Sequence, residues 1–159
     1  MDNNGDQPLI VTIDELTYRM QPHAYQRIEL EAGTHVLTIK EEAGRVIDTD
    51  TFQVIEGGLL NLAKTNYLIW VDLYGDPELR KTILQEDWIE IGNQSYFGQF
   101  EPVDVGAYYV ESKWDYGLDE DFPEDLLGWE ISREKWIIKR KLFREDELVN
   151  AYNSLVKQP

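Results

Sequence analysis

The stretch THVLTIKEEAGRVIDTDTFQVI, residues 34–55, decides the fold. Its first seven residues alternate, so that His35, Leu37 and Ile39 share one face and the residues between them share the other. A period of two is typical of a β-strand. EEAG then predicts a turn, and the β-branched residues that follow predict a second strand, which ends at two glycines.

More strands are predicted on both sides of this stretch. LIVTI, residues 9–13, is β-branched, and QRIELEAG, residues 26–33, alternates in the same way. YLIWVDLYG, residues 67–75, is apolar on both faces, which indicates a central, buried strand. Five strands joined by short turns, with no helix of ten residues among them, predict a β-sandwich.

The second half of the chain predicts a further β-rich part that ends in a helix. Residues 87–103 have the pattern of a hairpin around Gly92-Asn93, and residues 134–143 that of a long strand. From residue 144 onward the apolar spacing changes to three, four and seven, which is typical of a helix. Three acidic residues in its first turn suit the positive end of the helix dipole.

The chain is therefore predicted to be mainly β and to contain two folded parts. A flexible polar tail, residues 1–8, precedes a β-sandwich over residues 9–75. The turn Gly75-Asp76-Pro77 marks the expected boundary. A β-rich subdomain over residues 76–159 follows, ending in a helix at residues 144–157.

The net charge of -16 restricts the partners, because a negative surface repels phosphate backbones and anionic lipids. Nucleic acid and membrane surfaces are disfavoured, whereas a basic protein, a cation or a neutral ligand stays open. The absence of cysteine excludes thiolate catalysis and disulfides. No stretch approaches the ~20 apolar residues of a membrane span. The compartment stays open between the cytoplasm and, if a leader or anchor was trimmed, the cell envelope.

The acidic segment, residues 115–125, is the densest charge feature and includes Asp119 and Asp121. Its carboxylates suit a hard cation such as calcium, although the spacing is not that of an EF-hand. Six basic residues follow at positions 133–144. Internal pairing between the acidic segment and this basic strand is the competing interpretation.

Aromatic side chains beside the acidic segment are the candidate binding surface, since such rings anchor protein partners or stack on sugars. The candidate binding residues are Tyr108, Trp114, Tyr116, Trp129, Asp119 and Asp121. The competing interpretation is that the rings form the core of the second half, which has few aliphatic residues.

Catalytic patterns are missing from the sequence. There is no Gly-x-Ser-x-Gly elbow and no phosphate-binding loop. His23 and His35 are too few for a three-histidine metal site, and His35 on a strand is expected to be a partly buried structural residue. No catalytic residue, metal or other cofactor is predicted.

Residues 9–56 resemble the PEGA-type β-sandwich modules of bacteria. The matching residues are Ile13, Asp14, Pro22, Ile28, Leu30, Gly33, Thr34, His35, Val36 and Gly44. The resemblance implies an accessory binding or spacer domain of an envelope-associated protein, with no catalytic residues.

The leading hypothesis is a non-enzymatic binding protein of bacteria that recognises another protein, for which a basic protein is one candidate. A carbohydrate-active or hydrolytic enzyme that uses the acidic segment is the first alternative. A calcium-stabilised structural module is the second.

Overall fold

A computed structural model describes residues 1–124 and 136–156, without the side chains of residues 155 and 156. These residues are mainly β. The strands are β1 (Asp2–Asn3), β2 (Leu9–Ile13), β3 (Leu16–Met20), β4 (Ala24–Tyr25), β5 (Gly33–Glu41), β6 (Val46–Val54), β7 (Gly58–Leu60), β8 (Tyr67–Gly75), β9 (Asp87–Ile91), β10 (Gln94–Pro102), β11 (Tyr109–Glu111) and β12 (Trp136–Arg144). The helices are a 3-10 turn at Pro77–Leu79, α1 (Arg80–Ile83) and α2 (Glu145–Val156).

The chain divides into two compact units, and each is formed from two stretches of sequence. Unit 1 comprises Met1–Thr65 and Asp104–Lys113. Unit 2 comprises Asn66–Val103 and Trp114–Pro159. The boundary predicted at residues 75–77 is therefore displaced to residue 65, because β8 pairs with β10 and β12 of the second half.

Unit 1 is built on an antiparallel sheet in the order β3-β2-β5-β6. The alternation predicted for residues 34–40 holds, with Leu37 and Ile39 each 1% exposed on the inner face. Val11 and Ile13 of β2 lie beside them. This shared apolar face fixes the register, since a slip of one residue would turn the apolar side chains to solvent.

A second, smaller layer covers that inner face. Strands β7 and β11 form an antiparallel pair. Leu60 of β7, together with Leu62 and Tyr108, belongs to the same buried cluster as the four-stranded sheet. Unit 1 is thus sandwich-like, as the sequence predicts.

The first residues of the chain differ from the predicted flexible tail. Asp2 and Asn3 form β1, which pairs with β4, and both residues are 0% exposed. The Nδ2 atom of Asn3 donates to the carbonyl oxygens of Gln7, Met20 and Gln21 at 2.9, 3.3 and 3.0 Å. A polar segment is held here by hydrogen bonds, which hydrophobic patterning does not reveal.

The predicted strand at residues 26–33 is also wrong. Residues 26–32 belong to no strand, and β5 begins at Gly33. The partner of β2 on that side is β3, which follows the two-residue turn Asp14-Glu15. Ile28 and Leu30 still pack against the core as partly buried side chains, which explains the alternation without strand pairing.

Unit 2 contains an antiparallel sheet in the order β12-β8-β10-β9. The predicted central strand is confirmed: β8 pairs on both sides, and Ile69 and Val71 are 3% and 0% exposed. The hairpin predicted for residues 87–103 is formed by β9 and β10, with Gly92 in its turn at φ 61°.

Helix α2, predicted for residues 144–157, begins at Glu145 and is described to Val156. Its Leu148 is 0% exposed and forms a buried cluster with Trp70 and Phe143 of the sheet. Glu145, Asp146 and Glu147 occupy its first turn, where their negative charges interact favourably with the helix dipole. No helix in the described part of the chain has the length and apolar composition needed to cross a membrane.

Candidate functional site

The candidate binding residues come from both units. Trp114, Tyr116, Asp119 and Asp121 belong to unit 2, and Tyr108 belongs to unit 1. Trp129 and Asp125 lie outside the described residues, as do the two basic residues at positions 133 and 135.

Tyr108 is part of the core of unit 1, being 7% exposed. Its hydroxyl donates to Asp48 Oδ2 at 2.8 Å, and Lys64 Nζ lies 4.2 Å from the ring centroid. Burial, and then the hydrogen bond with Asp48, raise the pKa of Tyr108 to about 12. For this residue the structural interpretation is the one that the geometry supports.

The start of the acidic segment covers the outer edge of β12. The amide of Arg140 donates to Asp115 Oδ2 at 2.7 Å, and the amides of Asp115 and Tyr116 donate to the carbonyl of Arg140 at 2.8 and 3.0 Å. Leu142 N donates to the carbonyl of Tyr116 at 2.9 Å. The segment thereby satisfies backbone groups on a strand edge, which would otherwise be open to pairing.

Lys141, in the middle of β12, is 5% exposed. Its Nζ donates to the carbonyl of Gly117 at 2.7 Å and lies 4.6 Å from the ring centroid of Phe143. Burial lowers the pKa of Lys141, while the negative charges of Asp121, Glu147, Glu120 and Asp119 act in the opposite direction. The described carboxylates of the acidic segment thus interact with a cation of the basic strand, which agrees with internal pairing.

Tyr116 joins the aromatic core of unit 2. Its ring meets the ring of Phe122 edge-on at 6.1 Å, and Phe122 in turn contacts Trp70 and Phe143. Tyr116 and Trp114 are both half-buried. Part of the surface of each ring is therefore covered and is not accessible to a partner.

The acidic residues are arranged differently from a cation site. Among residues 1–124 and 136–156, no three His, Asp or Glu side chains are gathered so that they could hold a metal ion. Asp119 and Asp121 are exposed, and Glu120 Oε2 accepts from the amide of Gly117 at 2.8 Å. The calcium-stabilised module and the hydrolytic enzyme stay predictions.

Within residues 1–124 and 136–156, an exposed pair of aromatic side chains in contact lies on the β9–β10 hairpin. Trp88 is 63% exposed and Phe97 is 42% exposed. The two residues are directly opposite in the register, and their ring centroids are 5.3 Å apart with the planes tilted by 55°. They form the aromatic pair, a name used below for these two residues.

Polar groups flank the aromatic pair on the same face of the hairpin. Glu90 lies two residues beyond Trp88, and its carboxylate accepts a hydrogen bond from the hydroxyl of Ser95. Glu90 and Ser95 are opposite each other in the register and are exposed. On the other strand the amide of Phe97 donates to Tyr152 Oη of α2 at 3.2 Å, which ties the hairpin to the helix.

The alternation of residues 87–91 carries a signal for the orientation of Trp88. In DWIEI the isoleucines Ile89 and Ile91 are half-buried, so Trp88 and Glu90, which alternate with them, face the opposite way. Whether that opposite face is covered depends on the rest of unit 2, and the hairpin alone does not decide it.

The chain was compared with known protein families, curated proteins and solved structures. No match was found.

Proposed function

We propose that this chain is a non-enzymatic protein-binding molecule, and that the aromatic pair is the centre of its binding surface. The observation that carries the proposal is the exposure of Trp88 and Phe97, at 63% and 42%. Tryptophan is enriched among the residues that contribute most to protein interfaces, because its large ring buries much apolar area.

Rigidity of the aromatic pair supports the proposal. Trp88 and Phe97 lie on paired strands, and the backbone of Phe97 is hydrogen-bonded to Tyr152 of α2. Side chains that are already fixed lose less conformational freedom on binding than those on mobile loops. The two rings thus offer a partner a preformed apolar surface.

The charge around the aromatic pair favours a basic partner. Glu90 lies on the same face, Asp87 precedes Trp88, and the whole chain carries -16. A positively charged side chain can stack on an indole ring while it pairs with a nearby carboxylate. Charges of this kind accelerate association and make it sensitive to salt.

A competing role for the aromatic pair is to stabilise the hairpin. Cross-strand aromatic pairs contribute about 0.5–1.5 kcal/mol beyond the area that they bury. Both roles can hold at once, so the experiment must separate binding from stability.

The experiment is affinity capture from a bacterial lysate with four versions of the chain. A specific partner is retained by the wild type and by the control Val46→Ala/Ile47→Ala, which alters exposed aliphatic residues of unit 1. It is lost with Trp88→Ala/Phe97→Ala, although circular dichroism shows that this variant is folded. The fourth version, Trp114→Ala/Tyr116→Ala, tests the surface expected from the sequence.

Titration calorimetry with the purified partner then measures the affinity of each version. The aromatic pair is the site if its variant binds at least about tenfold more weakly, equivalent to about 1.4 kcal/mol. If only the Trp114→Ala/Tyr116→Ala variant loses this much affinity, the binding site lies at Trp114 and Tyr116 instead. A wild type that retains no specific protein would refute the function itself.

The PEGA-like identity of residues 9–56, which lie in unit 1, is part of this proposal. It is supported by the sandwich-like arrangement of unit 1 and by a direct contact between two residues of the resemblance, Asp14 and His35. An experimental structure in which the strand order of unit 1 departs from that of PEGA modules would exclude membership.

A further inference from the structure

Three separate segments of unit 1 meet at the imidazole of His35. The residue lies near the start of β5 and is 9% exposed. Its Nδ1 is 2.7 Å from Asp14 Oδ2, in the turn between β2 and β3. Its Nε2 is 2.8 Å from the carbonyl oxygen of Glu31, in the connection between β4 and β5.

Both partners of the ring accept hydrogen bonds, which determines the protonation state of His35. A carboxylate and a carbonyl oxygen have no proton to donate, so each ring nitrogen must carry one. Neutral imidazole has a single N–H and can serve only one of the two acceptors. Both contacts are therefore hydrogen bonds only when His35 is an imidazolium.

Asp14 is the fixed member of this arrangement. Its backbone adopts φ 54°, and its amide donates to the carbonyl of Val36 at 2.9 Å. Its Oδ1 accepts from the amide of Val36, also at 2.9 Å. Three hydrogen bonds thus connect the turn to β5, and all three stay in place when His35 loses the proton on Nε2.

Glu31, in contrast, lies outside the sheet. It belongs to residues 26–32, the connecting segment, which takes part in no strand. The far end of this segment is held by the amide of Gln26, which donates to the carbonyl of Met1 at 2.9 Å. Near Glu31 the segment depends on the contact with His35 and on the packing of Ile28 and Leu30 against the core.

We propose that the second proton of His35 is a latch that holds the connecting segment against unit 1, so that its Glu31 end is released reversibly as the pH rises. When the proton leaves, the remaining N–H stays with the carboxylate of Asp14, which is the stronger acceptor. The lone pair of Nε2 then faces the carbonyl oxygen of Glu31, and the two repel each other. Release uncovers part of Ile28 and Leu30.

The groups that face His35 agree with this direction. Asp14 from the β2–β3 turn is negative, the connecting segment presents the carbonyl and charge of Glu31, and β6 presents the ring of Phe52 at 5.5 Å. The hydrogen bond with Asp14, then that with Glu31, raise the pKa of His35 above its ordinary value of 6.5. Because the folded pKa is raised, the stabilisation is complete below pH 6.5 and disappears as the pH passes the folded pKa.

The first measurement follows both histidine rings by nuclear magnetic resonance. The chain has two histidines, so the signals are assigned with one variant. We expect His35 to titrate above 6.5. A midpoint at or below 6.5 would overturn the proposal, and this result does not depend on any variant folding correctly.

The second measurement follows the methyl groups of Ile28 and Leu30 by nuclear magnetic resonance between pH 5.5 and 9, since both side chains pack against the core of unit 1. We expect the order parameters of these methyl groups to fall through the titration of His35. The control His23→Asn keeps this fall, since asparagine tolerates the φ of 58° found at His23. His35→Gln abolishes it, because its amide donor does not titrate.

Constant methyl order parameters in the wild type through the titration of His35 would overturn the proposal. So would a fall that persists in His35→Gln. Neither result bears on the aromatic pair, so the test is independent of the proposed function.

Discussion

Replacing Asn3 by alanine tests whether hydrogen bonds, and not apolar packing, hold the start of the chain to unit 1. The side chain of Asn3 is fully buried, and its Nδ2 group faces the carbonyl oxygens of Gln7, Met20 and Gln21. Its Oδ1 also accepts from the amide of Gly5 at 3.3 Å. The substitution removes all of these contacts at once.

The expected loss of stability follows from the two protons of the amide group. They make two full hydrogen bonds among three acceptors, each with a net value of about 1 kcal/mol. The carbonyl of Met20 is buried and loses a partner, whereas those of Gln7 and Gln21 are part-buried and can gain water. We therefore expect Asn3→Ala to lower the free energy of unfolding by about 2–3 kcal/mol.

Urea unfolding measures this loss and assigns it to a unit. The four described tryptophans belong to unit 2, so their fluorescence reports unit 2, whereas far-UV circular dichroism reports both units. With a slope of about 2 kcal/mol/M, the dichroism midpoint should fall by about 1–1.5 M. The control is Asn4→Ala, whose contact with His23 at 3.3 Å is exposed.

Equal midpoints for Asn3→Ala and Asn4→Ala would refute the reasoning. The start of the chain would then be held by something other than the amide of Asn3, or would add nothing to stability.

Two further predictions concern unit 2. Gly98→Ala places a Cβ atom 2.8 Å from the ring of Phe100, so it should cost about 1–3 kcal/mol in urea unfolding followed by circular dichroism, which reports both units. Gly57→Ala, which meets nothing within 4 Å, should change stability by less than about 0.5 kcal/mol, and similar values for both would contradict the packing. Because burial lowers the pKa of Lys141, its charge costs stability at neutral pH and this cost fades as the pH rises toward 10.5. The stability of Lys141→Met relative to the wild type should thus decrease from pH 7 to pH 10, and a constant difference would contradict it.

The local sequence pattern was sufficient to predict β5, β8 and the β9–β10 hairpin. Strand β5 follows from alternation, β8 from a run that is apolar on both faces, and the hairpin from the turn residues between two strands. The pattern failed at residues 26–32, where Ile28 and Leu30 pack on the core without a neighbouring strand. Alternation indicates which side chains face the core, but it does not show whether the backbone pairs with another strand. An extended segment without a paired neighbour therefore has the same sequence pattern as a strand.

Long-range pairing was beyond the sequence. Residues 104–113 return to unit 1, where β11 pairs with β7, some fifty residues earlier in the chain. Nothing in the composition of residues 104–113 identifies that partner. The expected boundary at Gly75-Asp76-Pro77 failed for the same reason, since it assumed that neighbours in sequence share a unit.

The candidate site shows the same limit. The sequence shows that aromatic and acidic residues are concentrated near position 116. It does not show that Tyr116 packs on Phe122 or that Tyr108 belongs to the other unit. The exposure of Trp88 is decided by what covers the second face of the hairpin. That is a property of the assembled unit 2, and a single strand does not contain it.

The structure also changes the inference from the net negative charge to a basic partner. Several carboxylates act within the fold: Asp14 binds His35, Asp48 accepts from Tyr108, and Asp115 binds the backbone of Arg140. These groups are already engaged and contribute little to the recognition of another molecule. A carboxylate attracts a basic partner most effectively where it lies beside exposed apolar surface, because binding then excludes water from both. Glu90 beside Trp88 meets that condition, so the local surroundings of the hairpin, and not the total of -16, are the reason to expect a basic partner.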